Sequence, residues 1–265
     1  MGDVSRQRKQ FDRDGYAIYE DVLDAELVAE ASAHVDWLIA KNPELRPEGL
    51  LHTLVRHDPF WLRLISDDRL LDIAEQYVGP NIALFASHYI AKPPGDGQSV
   101  LWHQDGSYWP LEPMEVVTLW LAVDDSLPEN GCMRVVPGTQ HMELYEMQPS
   151  HDTPNVLSSQ IDPTLVDEDR AVDVVLKAGG VSVHHPNVVH GSNSNTSGLR
   201  RCGLTIRYIP TSTQIMHESW ECAFLLRGKA VAGVNDYLPQ PRYVEGEHMA
   251  FRGCETWSAP ADGTS

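Results

Sequence analysis

From about Ile82 to Ile209 the chain is written as short β-favouring runs separated by turn formers, and this rhythm limits its fold more than any other feature. The runs are Ile82–Ile90, Val116–Val123, Met133–Val136, Val172–Leu176, Val181–His185 and Gly203–Ile209, punctuated by KPPGDG, PENG, VPGTQ and GSNSNTSG. Gly, Pro and Asn supply the backbone angles of tight turns, so many short strands at this spacing predict a β-sandwich or small barrel. The first eighty residues read differently. Asp24 is placed to cap a helix carrying Val28, Ala31, Val35 and Leu38 at helical spacing, Asp58-Pro59 opens a second, and Asp67 caps a third through Leu70, Leu71, Ala74 and Tyr77. Gly79-Pro80 ends that one. These helices would buttress one face of the β core.

Thirty-eight acidic against twenty basic residues give a formal charge of −18. That argues against nucleic acid or an anionic membrane as the main partner, and it suits a neutral or cationic small substrate. No apolar run approaches the roughly 20 residues of a membrane span. MGDVSRQRKQ lacks the apolar stretch of a signal peptide, so the cytoplasm is the expected compartment. Cys132, Cys202, Cys222 and Cys254 form no C-x-x-C pair and read as reduced, structural thiols.

The chemistry concentrates in Leu101-Trp102-His103-Gln104-Asp105. Residues two apart on a strand face the same way, so His103 and Asp105 present an imidazole and a carboxylate together. Two histidines and a carboxylate on one face of an octahedral metal leave positions open for a co-substrate and dioxygen, as in non-haem Fe(II) oxygenases. An isolated H-x-D is weak, and a surface turn explains it as well. A third ligand must come from His184, His185 or His190. Arg201, eleven residues beyond His190, favours the last. A guanidinium grips a carboxylate in planar, bidentate fashion, which suits the far end of a dicarboxylate chelated to the metal. Ser192 would add a hydroxyl, while His184 and His185 are expected to pack or support.

These motifs, in this order, resemble the phytanoyl-CoA dioxygenase family, a branch of the 2-oxoglutarate oxygenases that includes ectoine hydroxylase. The resemblance covers most of the chain. It begins at Phe11-Asp12-Arg13-Asp14-Gly15-Tyr16 and runs through Lys92-Pro93-Pro94 and His103-Gln104-Asp105. It continues in Asn130-Gly131-Cys132-Met133 through Pro137-Gly138-Thr139-Gln140-His141, with one residue inserted before the histidine, and ends at His190-Gly191-Ser192 and Arg201. The resemblance implies a mainly β fold with flanking helices around a double-stranded β-helix (jelly-roll, cupin-like) core. The implied organisation is a single domain: helical support over 1–80, the jelly-roll core over 82–210, a C-terminal helix and loop region over 211–255, and a disordered tail over 256–265. His103, Asp105 and His190 would ligate Fe(II). Arg201 and Ser192 would hold the far carboxylate of 2-oxoglutarate, with Trp120, His88 and His52 lining the same co-substrate. The implied reaction couples decarboxylation of 2-oxoglutarate by O2 to oxidation of a substrate C–H bond. A carboxylate at 105, where related halogenases carry a small residue, argues against halogenation.

Several residues keep two readings. Tyr108 and Trp109 either wall a substrate pocket or pack in the core. Arg207 shares strand parity with Arg201 and Thr205, and either meets an anionic substrate group or forms a structural salt bridge. His141 is expected to be structural. Met216, Trp220 and Phe224, four apart, predict the packed face of a helix. The long polar stretch Glu143–Ala171 suits loops at a barrel mouth. A small-molecule partner and a monomer or homodimer are expected. A metal-binding or sensing protein, or a cupin-type enzyme that does not use 2-oxoglutarate, would explain the three ligands but not Arg201.

Overall fold

The computed structural model of the chain describes residues 2–152 and 154–257. The chain runs through α1 (Gly2–Asp14), β1 (Tyr16–Tyr19), α2 (Ala25–Lys41), α3 (Pro59–Ile65), α4 (Asp68–Val78), β2 (Ile82–Lys92), β3 (Val100–His103), β4 (Leu111–Glu112) and β5 (Val117–Ala122). It continues as β6 (Met133–Val135), β7 (Gln148–Pro149), β8 (Ser159–Gln160), β9 (Val172–Val174), β10 (Val181–His184) and β11 (His190–Ser192). The last strands are β12 (Arg201–Pro210), β13 (Gln214–Ile215) and β14 (Phe224–Arg227).

All three predicted caps form. Asp24 accepts from the Leu27 amide at 2.9 Å, Asp58 from Trp61 at 2.8 Å and Asp67 from Arg69 at 3.1 Å. Each satisfies one of the amides a helix start leaves without a carbonyl partner. The buried stripe of α2 is Leu27, Ala31, His34, Val35 and Leu38, so Leu27 takes the place expected of Val28, which is half-buried. His34 reaches Asp58 Oδ2 at 2.9 Å and ties α2 to the cap of α3.

The strands form two main antiparallel sheets, β1-β10-β5-β12-β2-β14 and β3-β11-β6-β9. Together they make the expected double-stranded β-helix. The larger sheet is buried on both faces, so its strands are apolar nearly throughout. Leu119, Leu121, Val181, Val183, Leu204, Ile206 and Tyr208 join the helices in the main core. Residues of opposite parity face the smaller sheet, where Trp120 and Ala122 pack with Met133, Val135 and Val174. Arg201, Thr205 and Arg207 share that inward side of β12, as parity predicts.

One irregularity matters for the site. Arg207 pairs with Ala86 but Tyr208 with Leu84, so the ladder skips Phe85. The Phe85 carbonyl instead accepts from Trp220 Nε1 at 2.6 Å and Cys222 Sγ at 2.9 Å, which draws the C-terminal segment against the core. This bulge helps explain where the helix expected within 211–255 fails. Phe224 pairs with Leu84 in β14, Trp220 is half-buried and Met216 is exposed, so their spacing is not a helical face. No described residue of 211–255 is helical; within it Gln214–Ile215 pairs with β4 and Phe224–Arg227 with β2. The expected tail also starts too early: Trp257 packs edge-on against Phe251, with centroids 6.2 Å apart. Its remainder, from 258, lies outside the described residues. The four cysteines are buried and free. Among the described residues no helix is long and apolar enough to cross a membrane.

Candidate metal centre

His103 ends β3 and stands directly opposite His190, which begins β11. Directly opposed residues of an antiparallel pair share a face, and these two rings lie with centroids 4.1 Å apart. Asp105 is not in the strand. It opens a single 3-10 turn, Asp105–Ser107, after an extended Gln104 (φ −118°, ψ 124°). One extended residue is enough to bring Asp105 back to the side of His103, so the parity argument holds although the strand ends earlier. Gln104 points away, wholly buried, donating to the Asn187 carbonyl and accepting from the Tyr145 amide, each at 2.8 Å. These bonds fix the H-x-D backbone from behind.

Ligand atoms of His103, Asp105 and His190 lie within 4.8 Å of one another, and all three residues are buried. Nδ1 of His103 is 2.8 Å from the Leu101 carbonyl, and Nδ1 of His190 is 3.0 Å from that of Val188. A carbonyl can only accept, so each Nδ1 carries a proton, which leaves each Nε2 as the nitrogen available to a metal. Burial, reinforced by the neighbouring imidazoles, holds His190 well below the ordinary histidine range. For Asp105 burial works upward, but the Arg207 charge and contacts with His103 and His184 outweigh it and leave the carboxyl well below its usual value. Two neutral imidazoles and one ionised carboxylate are the protonation states a metal needs, and this donor set fits divalent iron.

The three donors line a cavity of about 300 Å³. The eight residues assigned from the sequence to the co-substrate or substrate all reach its wall: Trp120, Ser192 and Arg201, His52 and His88, and Tyr108, Trp109 and Arg207. Arg201 is 2% exposed, donates to the Gly131 carbonyl at 3.0 Å and to Ser192 Oγ at 3.4 Å, and lies 5.4 Å from the centre of the Trp120 ring. Burial lowers its pKa to about 10. Among the described residues it forms no ion pair with an acid; Glu48, whose charge reaches it, is bridged to Arg46.

The sequence reading passed over several of these neighbours. Lys92 donates to Ser192 Oγ at 2.7 Å, and burial together with the Arg201 charge lowers its pKa to about 6. It pairs with Arg201 across β2 and β12 and shares strand parity with His88, a signal that could have found it. His184 was not passed over: expected to pack or support, it stands beside the donors, with Nε2 3.4 Å from Asp105 Oδ2. Trp220, read as helix core, lines the cavity, as do Phe85 and Leu157. Leu157 comes from the loop between β7 and β8, and Ser159 at the head of β8 meets Tyr108 Oη at 2.7 Å. His185 sits apart, packed on Phe11, and His141 is exposed beside Gln140.

Residues 11–203 match the family model described as Phytanoyl-CoA dioxygenase (PhyH). The chain is 30% identical over 176 residues to L-proline trans-4-hydroxylase of Streptomyces griseoviridis, covering 60% of this chain and 66% of that enzyme, just under two thirds of its length. It is 25% identical over 237 residues to ectoine dioxygenase of Sphingopyxis alaskensis, covering 80% and 77%. The fold resembles the apo form of ThoJ, described as a non-heme monooxygenase, with a TM-score of 0.75 at 23% identity over 88% of this chain and 87% of that one. With the family model matched across most of its length, the chain belongs to the phytanoyl-CoA dioxygenase family of iron- and 2-oxoglutarate-dependent oxygenases.

Proposed function

We propose that this chain oxidises an unactivated C–H bond of a small metabolite or natural-product intermediate, by hydroxylation in the simplest case, with succinate and carbon dioxide as co-products. The observation that carries the proposal is Arg201. It is a buried guanidinium without an acid partner among the described residues, on the wall of the cavity that His103, Asp105 and His190 also line. A metal-binding protein has no use for such a group, whereas a dicarboxylate chelated to the metal supplies the missing anion.

In this reading His103, Asp105 and His190 hold iron. Bound there, iron with 2-oxoglutarate and O2 supplies the oxidising power. Arg201 and Ser192 bind the far carboxylate of 2-oxoglutarate, and the Trp120 ring excludes water beside them. His88 and His52 line the cavity as neutral rings, since burial and the Arg207 charge lower both pKa values. Tyr108, Trp109 and Arg207 belong to the substrate side. The names of the two relatives, a proline hydroxylase and an ectoine dioxygenase, support a small-molecule substrate. The charge of −18 supports a role without nucleic acid or membrane, and the same reading has the protein work in the cytoplasm as a monomer or homodimer.

Adding Fe(II) and 2-oxoglutarate without oxygen should give a weak visible charge-transfer band, and oxygen should then release succinate. If neither band nor succinate appears, the proposal fails and a metal site of another kind remains.

A further inference from the structure

Arg207 is the second buried guanidinium on the cavity wall, 6% exposed, and only half of it is used. Nη1 contacts His88 Nδ1 at 2.7 Å and donates to Thr205 Oγ1 at 2.6 Å. Nη2 forms an ion pair with Asp105 Oδ1 at 3.7 Å, beyond hydrogen-bond reach, and the buried Nε has no hydrogen-bond partner among the described residues. Nε and Nη2 form one edge of the guanidinium, the edge that takes a carboxylate through two parallel hydrogen bonds. Asp105 does not fill that role. Its oxygens also meet His103, Thr118 and His184, and a carboxylate that ligates a divalent cation has less charge left for a neighbour.

The wall beside Arg207 is aromatic. Its guanidinium carbon lies 5.4 Å from the centre of the Trp109 ring, Phe85 meets Trp109 edge-on at 5.8 Å, and Trp220 stacks on Phe85 at 4.6 Å with 10° between the planes. Flat faces of this kind bury an apolar body well and leave one polar requirement, at Arg207.

We propose that the substrate is a carboxylic acid with an apolar, preferably aromatic, body, its carboxylate held on the Nε/Nη2 edge of Arg207 and its body against Trp109, Phe85 and Trp220. The inference rests on the oxygenase reading of the same cavity and adds the substrate class to it. It also overrides the neutral or cationic substrate expected from net charge: a guanidinium in contact decides recognition, and a whole-chain sum does not register it.

The test uses the full chain loaded with Ni(II), so that nothing turns over, and isothermal titration with and without 2-oxoglutarate. The probes are 3-phenylpropionate and indole-3-acetate, each compared with its neutral amide. The carboxylates should bind at least tenfold more tightly than the amides. Arg207→Gln should erase that ratio and Arg207→Lys should restore part of it, with 2-oxoglutarate affinity held within about threefold throughout. Equal binding of acid and amide to the wild-type chain would overturn the proposal, as would failure of both acids to bind; neither outcome depends on a variant folding. Loss of 2-oxoglutarate affinity in Arg207→Gln matching the loss for the acids would assign the residue to the co-substrate instead. If wild-type, metal-loaded protein fails to bind 2-oxoglutarate, the oxygenase reading falls, while the preference for acid over amide is still read with Ni(II) alone.

Discussion

Gly203 lies on β12 two residues from Arg201 and shares its side of the strand, and the Trp120 ring crosses directly over its α-carbon. A Cβ at position 203 would fall 1.9 Å from Trp120 Cζ2, 2.2 Å from Cε2 and 2.5 Å from Cη2. Ordinary contact begins at 3.4 Å, so Gly203→Ala demands that the ring shift by about 1.5 Å. The ring has little room. Trp120 is 4% exposed, packs with Met133 and Val135, and carries the Arg201 guanidinium against it. Overpacking costs ~1–3 kcal/mol, and a rigid ring in a filled space puts this case near the top of that range. For a chain of this size, ~3 kcal/mol corresponds to a fall in Tm of roughly 6–12 °C. Because the displaced ring supports Arg201, the Kd for 2-oxoglutarate should rise about tenfold, or ~1.4 kcal/mol, while metal affinity changes little. Thermal unfolding and anaerobic titration calorimetry read the two effects. Gly198→Ala, with nothing among the described residues within 4 Å of its added carbon, is the matched control and should be silent. A Gly203→Ala chain with wild-type Tm and wild-type co-substrate affinity would refute the packing argument.

Arg201→Ala should raise the Kd for 2-oxoglutarate about a hundredfold, the ~3 kcal/mol typical of one half of a buried charge pair, with Fe(II) binding nearly intact; equal loss of both by calorimetry would count against its role. Thr139 Oγ accepts from the Val189 amide at 2.8 Å and donates to the Val136 carbonyl at 2.7 Å, so Thr139→Val leaves a buried amide unpaired beside His190. That should cost ~1–3 kcal/mol in urea unfolding and weaken metal binding several-fold, and no change in either would be the wrong result. Lys92 titrates at about 6 when folded, against 10.5 for the free side chain, so between those values the unfolded chain holds a proton that the folded chain lacks. Stability should therefore rise with pH across that window by up to ~1.4 kcal/mol per pH unit from this group and level off below pH 6. Lys92→Met should flatten the slope between pH 6.5 and 8.5, and an unchanged slope would place the shift elsewhere.

The site was legible where its chemistry is local. His103 and Asp105 are two residues apart, and one extended Gln104 is all that is needed to set them on one side, whichever residue ends the strand. Asp24, Asp58 and Asp67 were legible for the same reason, since a cap acts within three residues. His190 needed help. Its direct pairing with His103 is a fact of strand register, which no nearby residue announces, and Arg201 stood in for that missing information. The failures are all of long range. Trp220 and Phe224 lie four apart as helix residues would, but a carbonyl released by the bulge at Phe85 and an open edge on β2 captured that segment as loop and strand. Lys92 passed as part of a proline turn because its partners, Ser192 and Arg201, come from distant strands.

The fold on its own gives no reason for Arg201 and Lys92 to lie together. Both are buried, each repels the other's charge, and neither forms an ion pair with an acid among the described residues. Apolar side chains of similar size would make a more stable sheet. What the pair does is set the charge of the pocket. With a pKa of about 10, Arg201 keeps its charge at neutral pH, whereas Lys92, at about 6, is mostly uncharged. Lys92 is thus a base in reserve: an arriving carboxylate would raise its pKa, so that it takes up a proton from solvent. Arg207 has no such companion: the rings around it, His88 and His52, are neutral, Asp105 Oδ1 stands 3.7 Å from Nη2, and the Nε/Nη2 edge keeps a fixed charge with a fixed shape. The two guanidinium ends of the cavity are therefore not equivalent. On the proposed roles, the Arg201 end would adjust its charge to a flexible co-substrate and the Arg207 end would select by geometry, which puts discrimination among substrates there.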